Sequence, residues 1–200
     1  MPSVLLSPSS GLPFVKRIFD IILASMFFIV FSFPMLIVAV LVKVTSKGPV
    51  LYWSDRVGRY NEIFKMPKFR TMCVDTPAVA THLMKNPDIY LTPIGSFLRK
   101  FSLDELPQLY SILKGDISFV GPRPALYNQD DLVGLRTGKG IHRLIPGITG
   151  WAQVNGRDEL PIPIKVEFDE YYLKNRSFLF DMKILWMTFV KVVRREGVVH

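Results

Sequence analysis

The amino-terminal part of the chain is dominated by one long uncharged stretch. No charged residue occurs from Ile21 to Val42, a run of 22 positions. At about 1.5 Å per residue, a helix of this length crosses the hydrocarbon core of a bilayer. The run is too long for a cleaved signal peptide, and no small-residue cleavage site follows it. The pattern therefore predicts a helical membrane segment.

A proline and the flanking charges leave two topologies open for this segment. Pro34 removes a backbone donor and clashes with the carbonyl of Val30, so a kink or break is expected there, with Ser32 placed to bond a freed carbonyl. Basic residues normally mark the cytoplasmic side. Here they flank both ends, as Lys16, Arg17, Lys43 and Lys47. A spanning helix and a re-entrant helix-break-helix that turns at Ser32–Pro34 fit these residues equally well.

A second amphipathic segment lies near the carboxyl terminus. The pattern predicts a helix from Ser177 to Arg195, with an apolar arc opposite a largely basic one. The apolar arc comprises Met182, Leu185, Trp186, Phe189, Val190, Val192 and Val193. An apolar face with Trp and Phe opposite basic residues is typical of a helix lying in a membrane interface. A helix that packs this face on a protein core fits the pattern as well.

The region between these helices predicts an α+β protein that is mostly helical. Residues 50–53 and 62–72 are expected to form a small β-hairpin around Gly58 and Asn61, with Pro67 at an edge or bulge. Thr92-Pro93 is expected to start a helix. From Gly115 to Arg157 the chain is rich in Gly and Pro without repeating, which is typical of loops that build a site.

Composition adds a second constraint. The chain has 200 residues, 25 Lys and Arg against 17 Asp and Glu, and 49% hydrophobic residues, with a mean hydropathy of +0.26. A basic nucleic-acid binder is usually polar, so we expect no nucleic-acid partner. The combination favours a protein held at a membrane, with basic charge facing anionic headgroups or a phosphate-rich ligand. The single cysteine, Cys73, excludes a disulfide scaffold.

The candidate chemistry centres on two adjacent carboxylates. Motifs for zinc hydrolases, serine hydrolases and Walker-type nucleotide sites are absent from the sequence. In the segment Ser102 to Gln108, Asp104 and Glu105 stand at the start of a predicted helix. One interpretation is a capping box formed by Ser102 and Glu105. The other makes Asp104 a nucleophile that attacks phosphorus, with Glu105 as its partner.

Several basic residues are candidates for binding the phosphates of a substrate. Arg123 lies between two prolines that fix its backbone, and Arg157 follows Asn-Gly in a tight turn. Lys68 and Arg70 lie in Lys-Phe-Arg-Thr-Met, and Arg99-Lys100 precedes the acidic pair. Each one alone is also compatible with an ordinary solvated charge. If Asp104 is a nucleophile, these Arg and Lys residues would bind the phosphates of the substrate.

Taken together, the motifs resemble those of the bacterial sugar transferases, or monotopic phosphoglycosyl transferases. The resemblance extends from Phe14 to Val193, and the motifs occur in the family's order. They are FVKRIFD (14–20), KFRTM (68–72), SLDELPQ (102–108), LKGDISFVGPRP (113–124), PGITG (146–150) and AQVNGR (152–157). The length is similar to that of minimal members that have the catalytic domain alone.

The resemblance implies a specific activity. A sugar 1-phosphate would pass from a UDP-sugar to undecaprenyl phosphate with release of UMP, as the first membrane step of bacterial glycoconjugate or polysaccharide synthesis. Asp104 would carry a covalent phosphosugar, Glu105 would complete the dyad, and Mg²⁺ would bind at both. Lys68, Arg70, Arg123 and Arg157 would bind substrate. The membrane segment would be re-entrant, although Phe33 separates Ser32 from Pro34 where relatives often have Ser-Pro.

These expectations define one domain over residues 1–200. Residues 14–45 form the re-entrant membrane segment, and residues 46–200 form a catalytic part associated with the membrane. The protein would be monotopic, on the cytoplasmic face of the bacterial inner membrane, in contact with lipids. Two alternatives remain. A non-catalytic, membrane-anchored basic module explains the charge but not the clustered motifs, and a lipid-phosphate phosphatase would need no nucleotide sugar.

Overall fold

The computed structural model describes residues 12–76, 87–156 and 160–194, and these form an α+β fold that is mostly helical, as predicted. The helices are α1 (Leu12–Thr45), α2 (Gly95–Lys100), α3 (Gln108–Lys114), α4 (Asp130–Gly138), α5 (Trp151–Val154), α6 (Ile162–Asn175) and α7 (Phe178–Arg194). The strands are β1 (Leu51–Val57), β2 (Ile63–Phe69), β3 (Ser118–Val120) and β4 (Gly147–Thr149). Short 3-10 turns cover Arg59–Asn61, Pro87–Tyr90, Leu103–Glu105 and Ile141–Arg143.

Helix α1 is the long apolar helix that the sequence predicts. Within the described part of the chain it alone is long and apolar enough to cross a membrane, with a mean hydropathy of 2.6 over its best window. The sequence predicts a break at Ser32–Pro34, whereas the structure has one helix with Pro34 inside it. Ser32 Oγ donates to the carbonyl of Ile29 at 2.7 Å. Pro34 leaves the carbonyl of Val30 without its helical donor. The Ser32 hydroxyl does not bond that carbonyl but the one before it, of Ile29.

Both ends of α1 pack on the folded body, while its middle does not. Ala24 and Val42 are fully buried, whereas the side chain of Phe33, midway between them, is 68% exposed. Ala24 belongs to the main hydrophobic cluster together with Ile112 and Val120. Val42 belongs to a second cluster with Phe69 and Leu98. The exposed middle is therefore the part of α1 available to lipid.

Charged residues of the FVKRIFD motif fasten the first end of α1. Lys16 forms an ion pair with Asp181 of α7. Arg17 donates from its two terminal nitrogens to the carbonyls of Ile112 and Leu113, at 2.6 and 2.7 Å. These carbonyls belong to the last turn of α3, where helix acceptors lack the full set of backbone donors; the Ile112 carbonyl also accepts from the amide of Gly115 at 3.1 Å. The motif thus joins α1 to α3, the helix that follows the acidic pair.

The predicted hairpin is confirmed. Strands β1 and β2 pair in antiparallel register with Leu51 opposite Phe69 and Val57 opposite Ile63. Pro67 lies opposite Trp53 in this two-stranded sheet, so its missing donor does not disrupt a central ladder. The connection contains Tyr60 and Asn61, both with positive φ.

The Gly- and Pro-rich region brings two predicted motifs into contact. Strands β3 and β4 pair in parallel, with Val120 opposite Thr149. A Cβ atom on Gly147 would lie 2.1 Å from the amide nitrogen of Gly121, and one on Gly150 would lie 2.1 Å from the carbonyl oxygen of Gly121. These positions therefore require glycine because two backbones touch there.

Helix α7 follows the predicted limits and combines both interpretations of its pattern. Asp181 and Ile184 are buried, and a hydrogen bond of 2.7 Å joins the hydroxyl groups of Thr188 and Thr149. The residues that pack α7 therefore include the polar side chains of Asp181 and Thr188, which are not on the apolar arc. Trp186 and Phe189, on the apolar arc, remain 65% and 58% exposed. The helix contacts the core by one face and leaves an apolar face outside.

Candidate active site

The acidic pair lies in a tight turn between α2 and α3. Asp104 and Glu105 belong to the 3-10 turn Leu103–Glu105. The preceding Ser102 has a left-handed backbone with φ of 53° and makes no capping hydrogen bond through its side chain. The capping-box interpretation is therefore wrong, because the hydroxyl does not cap and the Glu105 carboxylate is engaged elsewhere.

Glu105 is held by two cations that lie far from it in sequence. Lys68 Nζ lies 2.6 Å from Glu105 Oε1, and Arg123 Nη2 lies 3.2 Å from the same oxygen. Burial favours the protonated acid, but the charges of Lys68 and Arg123, with their hydrogen bonds, outweigh it and hold the pKa of Glu105 well below its usual range. Glu105 is therefore ionised and keeps two positive groups at the site.

Asp104 has the opposite environment. The residue is 8% exposed, and burial raises the pKa of Asp104 to about 6, with Lys68 opposing the rise and the negative charge of Glu105 adding to it. The neighbouring carboxyl groups thus have pKa values pushed in opposite directions, which is typical of pairs with different chemical tasks. A carboxylate that is poorly stabilised in this way is a better nucleophile than a fully solvated one.

The turn that carries the dyad is supported by the second end of α1. Leu103 and Leu106, on either side of the acidic pair, pack on the cluster of Val42, Phe69 and Leu98. Phe69 directly follows Lys68 in the chain. The same cluster therefore positions the acidic turn and its basic partner beside the end of α1.

The loop carrying Arg123 is clamped through its backbone. The two prolines remove amide donors, but four consecutive carbonyls, from Pro122 to Ala125, each accept a hydrogen bond, and the donors come from three other segments of the chain. The donors are Gly147 N at 2.9 Å, Arg136 Nη1 at 2.8 Å, Arg56 Nη1 at 3.3 Å and Val57 N at 2.9 Å. The guanidinium of Arg123 is consequently presented to Glu105 from a rigid base.

Sequence reasoning missed Arg136 and Asp169. Arg136 lies on α4 and forms a buried ion pair with Asp169 of α6 while it binds the Arg123 carbonyl. No local pattern distinguishes either residue from a surface charge, because the two are 33 residues apart. Arg99, predicted only as one of several basic candidates, donates to Thr71 Oγ1 at 3.0 Å. Its charge also acts on Asp104.

Arg70, one of the predicted substrate ligands, is not brought to the dyad. The guanidinium of Arg70 is buried and donates to the carbonyls of Pro49, Lys47 and Ser46 and to Ser46 Oγ, at 2.7 to 3.0 Å. It clamps the segment after α1 and is engaged in structural bonds. Arg157 lies outside the described residues.

The donor set fits Mg²⁺ with a phosphate substrate. Among the described residues, no group of three or more His, Cys, Asp and Glu side chains is placed to hold a metal. Mg²⁺ is commonly bound by one or two carboxylates together with substrate phosphates. Asp104 and Glu105 supply two such carboxylates, although Glu105 Oε1 already accepts from two cations. Asp104 would therefore be the principal protein ligand.

Comparison with known proteins identifies the family. A family model described as bacterial sugar transferase matches residues 12–195, and the chain belongs to this family. It is 41% identical over 187 residues to the uncharacterized sugar transferase EpsL of Bacillus subtilis (strain 168), covering 92% of this chain and 90% of EpsL.

Two relatives have names that state substrates. The UDP-N-acetylgalactosamine-undecaprenyl-phosphate N-acetylgalactosaminephosphotransferase of Aeromonas hydrophila is 39% identical over 197 residues, covering 96% of this chain and 47% of that protein. The UDP-glucose:undecaprenyl-phosphate glucose-1-phosphate transferase of Escherichia coli (strain K12) is 40% identical over 194 residues, covering 92% and 42%. The chain therefore spans less than half the length of these two relatives.

Proposed function

We propose that the chain transfers a sugar 1-phosphate from a UDP-sugar to undecaprenyl phosphate and releases UMP. The observation that carries the proposal is the contrast within the dyad. Asp104 is buried with a raised pKa, while Glu105 is held ionised by Lys68 and Arg123. The names of the Aeromonas and Escherichia relatives describe this type of reaction with different sugars. The sugar used by this chain is left to experiment.

The reaction is proposed to occur in two displacements. An Asp104 carboxylate oxygen attacks the phosphorus that bears the sugar, and the bond from that phosphorus to the UMP oxygen breaks. UMP leaves, and Asp104 carries an acyl phosphate linked to the sugar. A phosphate oxygen of undecaprenyl phosphate then attacks the same phosphorus. The bond to Asp104 breaks, which restores the carboxylate and leaves the lipid diphosphate sugar.

The basic residues would bind and orient the anionic substrate. Lys68 and Arg123 both face Glu105, so they bring two positive charges to the position where a diphosphate approaches Asp104. Arg70 is a weaker candidate for this role because its donors are engaged elsewhere, and Arg157 remains a candidate. A Mg²⁺ ion bound by Asp104 and Glu105 would offset the negative charge of the diphosphate.

We also propose a monotopic attachment to the cytoplasmic face of the bacterial inner membrane. Both ends of α1 are fastened to one folded body, while the side chains around Phe33 are exposed. The same side of the bilayer would then hold Lys16 and Lys43, in agreement with their charge. The exposed apolar face of α7 would add contacts with membrane lipids. Tags placed at either terminus should stay inaccessible from outside the cell.

The decisive experiment measures UMP release by purified protein in detergent or nanodiscs. A panel of UDP-sugars is supplied with and without undecaprenyl phosphate. We expect one UMP per enzyme without the lipid and continuous turnover with it, and we expect Asp104→Asn to abolish both. The control is Asp55→Asn, which changes a more exposed carboxylate paired with Lys65.

The possible results separate the proposed reaction from its rivals. Near wild-type UMP release by Asp104→Asn would contradict the covalent mechanism. Release of inorganic phosphate from a lipid phosphate, without any nucleotide sugar, would identify a phosphatase. No turnover with any UDP-sugar would favour a non-catalytic module.

A further inference from the structure

The most completely buried ion pair in the described structure stands directly behind Arg123. Nε and Nη2 of Arg136 donate to Asp169 Oδ2 at 2.9 and 2.6 Å, and Nη1 donates to the carbonyl oxygen of Arg123 at 2.8 Å. Asp169 is 1% exposed. The Arg136 guanidinium therefore joins Asp169 of α6 to Arg123, and the side chain of Arg123 contacts Glu105.

Stability alone is a weak explanation for this pair. Transfer of two charges into a protein interior costs more free energy than packing apolar side chains of the same volume, so buried ion pairs are seldom the most stable choice. What the Arg fork offers is a fixed geometry with several donors in one plane. Here one of these donors bonds the backbone oxygen of Arg123. The two neighbours of Arg123 are prolines, which have no amide hydrogen to hold the loop in place.

We propose that Arg136 and Asp169 are positioning residues that set the placement of the Arg123 guanidinium at the dyad. The proposal rests on the proposed function, because Arg123 matters only if it binds the substrate or orients Glu105. Asp169 holds the Arg136 fork, Arg136 holds the Arg123 carbonyl, and Arg123 Nη2 contacts Glu105 Oε1 at 3.2 Å. A change in the ion pair of Asp169 with Arg136 therefore shifts the Arg123 guanidinium relative to Glu105.

A matched control lies beside this pair. Lys139, the residue that follows α4, forms an ion pair with Glu170 of α6, next in sequence to Asp169. This pair is more exposed, and no bond from Lys139 to the Arg123 loop occurs among the described residues. Glu170→Gln therefore weakens the ion pairs that Glu170 forms with Lys139 and Lys174, without touching the clamp. It distinguishes loss of positioning from general loosening of the two helices.

The test is a double-mutant cycle in the UMP-release assay. Arg136→Lys keeps the buried charge but cannot supply the full fork. The pair Arg136→Met with Asp169→Leu removes both charges and fills the space with apolar groups. We expect each to lower kcat/KM for the UDP-sugar about ten- to hundredfold, whereas in an Arg123→Gln background the same changes lower it less than about twofold. Glu170→Gln should match the wild type in both backgrounds.

A second readout does not depend on activity. Hydrogen–deuterium exchange of the peptide covering residues 120–127 should be faster in the Arg136→Lys protein and unchanged in Glu170→Gln. Equal losses of activity in both backgrounds, or unchanged exchange in this peptide, would overturn the proposal. Failure of both Arg136 variants to fold would also overturn it, because the pair would then serve stability alone. A wild-type protein that releases no UMP refutes the proposed function, and the exchange result then decides the positioning role by itself.

Discussion

Lys68 Nζ of β2 lies 2.6 Å from Glu105 Oε1, so a cation on the hairpin balances the negative charge of the Glu105 carboxylate. Loss of this cation should raise the pKa of both dyad carboxyls, since Lys68 is the largest pKa-lowering influence on each. We expect Lys68→Gln to reduce kcat/KM for the UDP-sugar by at least about tenfold, with the acidic limb of its pH profile moved to higher pH. Initial rates from pH 5 to 9 measure both effects.

The control for this prediction lies on the same strand. Lys65 forms an exposed ion pair with Asp55, and its side chain is 69% accessible. Lys65→Gln should leave the pH profile unchanged, because exposed pairs contribute little. A Lys68→Gln profile identical to that of the wild type would contradict the role assigned to Lys68.

Asp104 should lower the stability of the protein in the absence of substrate. Its pKa is raised to about 6 in the folded state from 3.8 in the unfolded chain. An acid with a raised pKa favours the fold most below its unfolded pKa, and this contribution is lost as the pH rises through 6. With EDTA present, Asp104→Asn should therefore be more stable than the wild type by about 3 kcal/mol at pH 8 and by less than about 1 kcal/mol at pH 4.

Thermal unfolding in detergent at both pH values tests this prediction. The Asn variant should melt several degrees higher at pH 8, although it is expected to be inactive. Equal melting temperatures at pH 8 would mean that Asp104 is better stabilised than its burial indicates.

Arg70 should prove to be a structural residue. Its guanidinium clamps three carbonyls and one hydroxyl in the segment that leaves α1. We expect Arg70→Met to lower the unfolding free energy by about 1–3 kcal/mol, because it leaves buried acceptors without donors. The KM for the UDP-sugar should stay within about twofold of the wild type in the protein that remains folded. A large rise in KM at unchanged stability would instead support the phosphate-binding role predicted from the sequence.

The contact between β3 and β4 should tolerate no side chain at Gly147. A Cβ atom there would lie 2.1 Å from a backbone nitrogen, so Gly147→Ala should separate the two strands and abolish folded, active protein. A Cβ atom on Gly134, in α4, would meet no other atom within 4 Å. Gly134→Ala should keep full activity and raise stability by up to about 1 kcal/mol, since alanine favours the helix. Yield of folded protein and UMP release distinguish the two variants.

The sequence predicts well those elements whose signal is local. The uncharged run predicts α1, and alternating strands around Gly58 predict the hairpin, because both depend on periodicity and turn residues. Helix α2 begins at Gly95 rather than at Thr92, because the Thr92 backbone pairs with Thr71 and its hydroxyl donates to the same carbonyl. The contact of Thr92 with Thr71 therefore takes the place of the helix cap that the sequence predicts at Thr92.

The candidate site shows the same division between local and distant information. Asp104, Glu105 and Arg123 stand out because their motifs are unusual, but the ionisation of the dyad depends on Lys68, which is 37 residues away from Glu105. Arg70 and Lys68 are two residues apart and look alike in the sequence. The fold turns one toward Glu105 and the other toward the carbonyls after α1. Only the three-dimensional arrangement distinguishes a ligand candidate from a clamp.

The packing of α1 has a practical consequence for work with this protein. Ala24 and Val42 are parts of the two hydrophobic clusters, and the second cluster lies under the acidic turn. Deletion of the apolar segment to obtain a soluble fragment would open both clusters and remove the support of Leu103 and Leu106. The folded body and α1 therefore depend on the same two clusters, and we expect a stable protein only when α1 is retained.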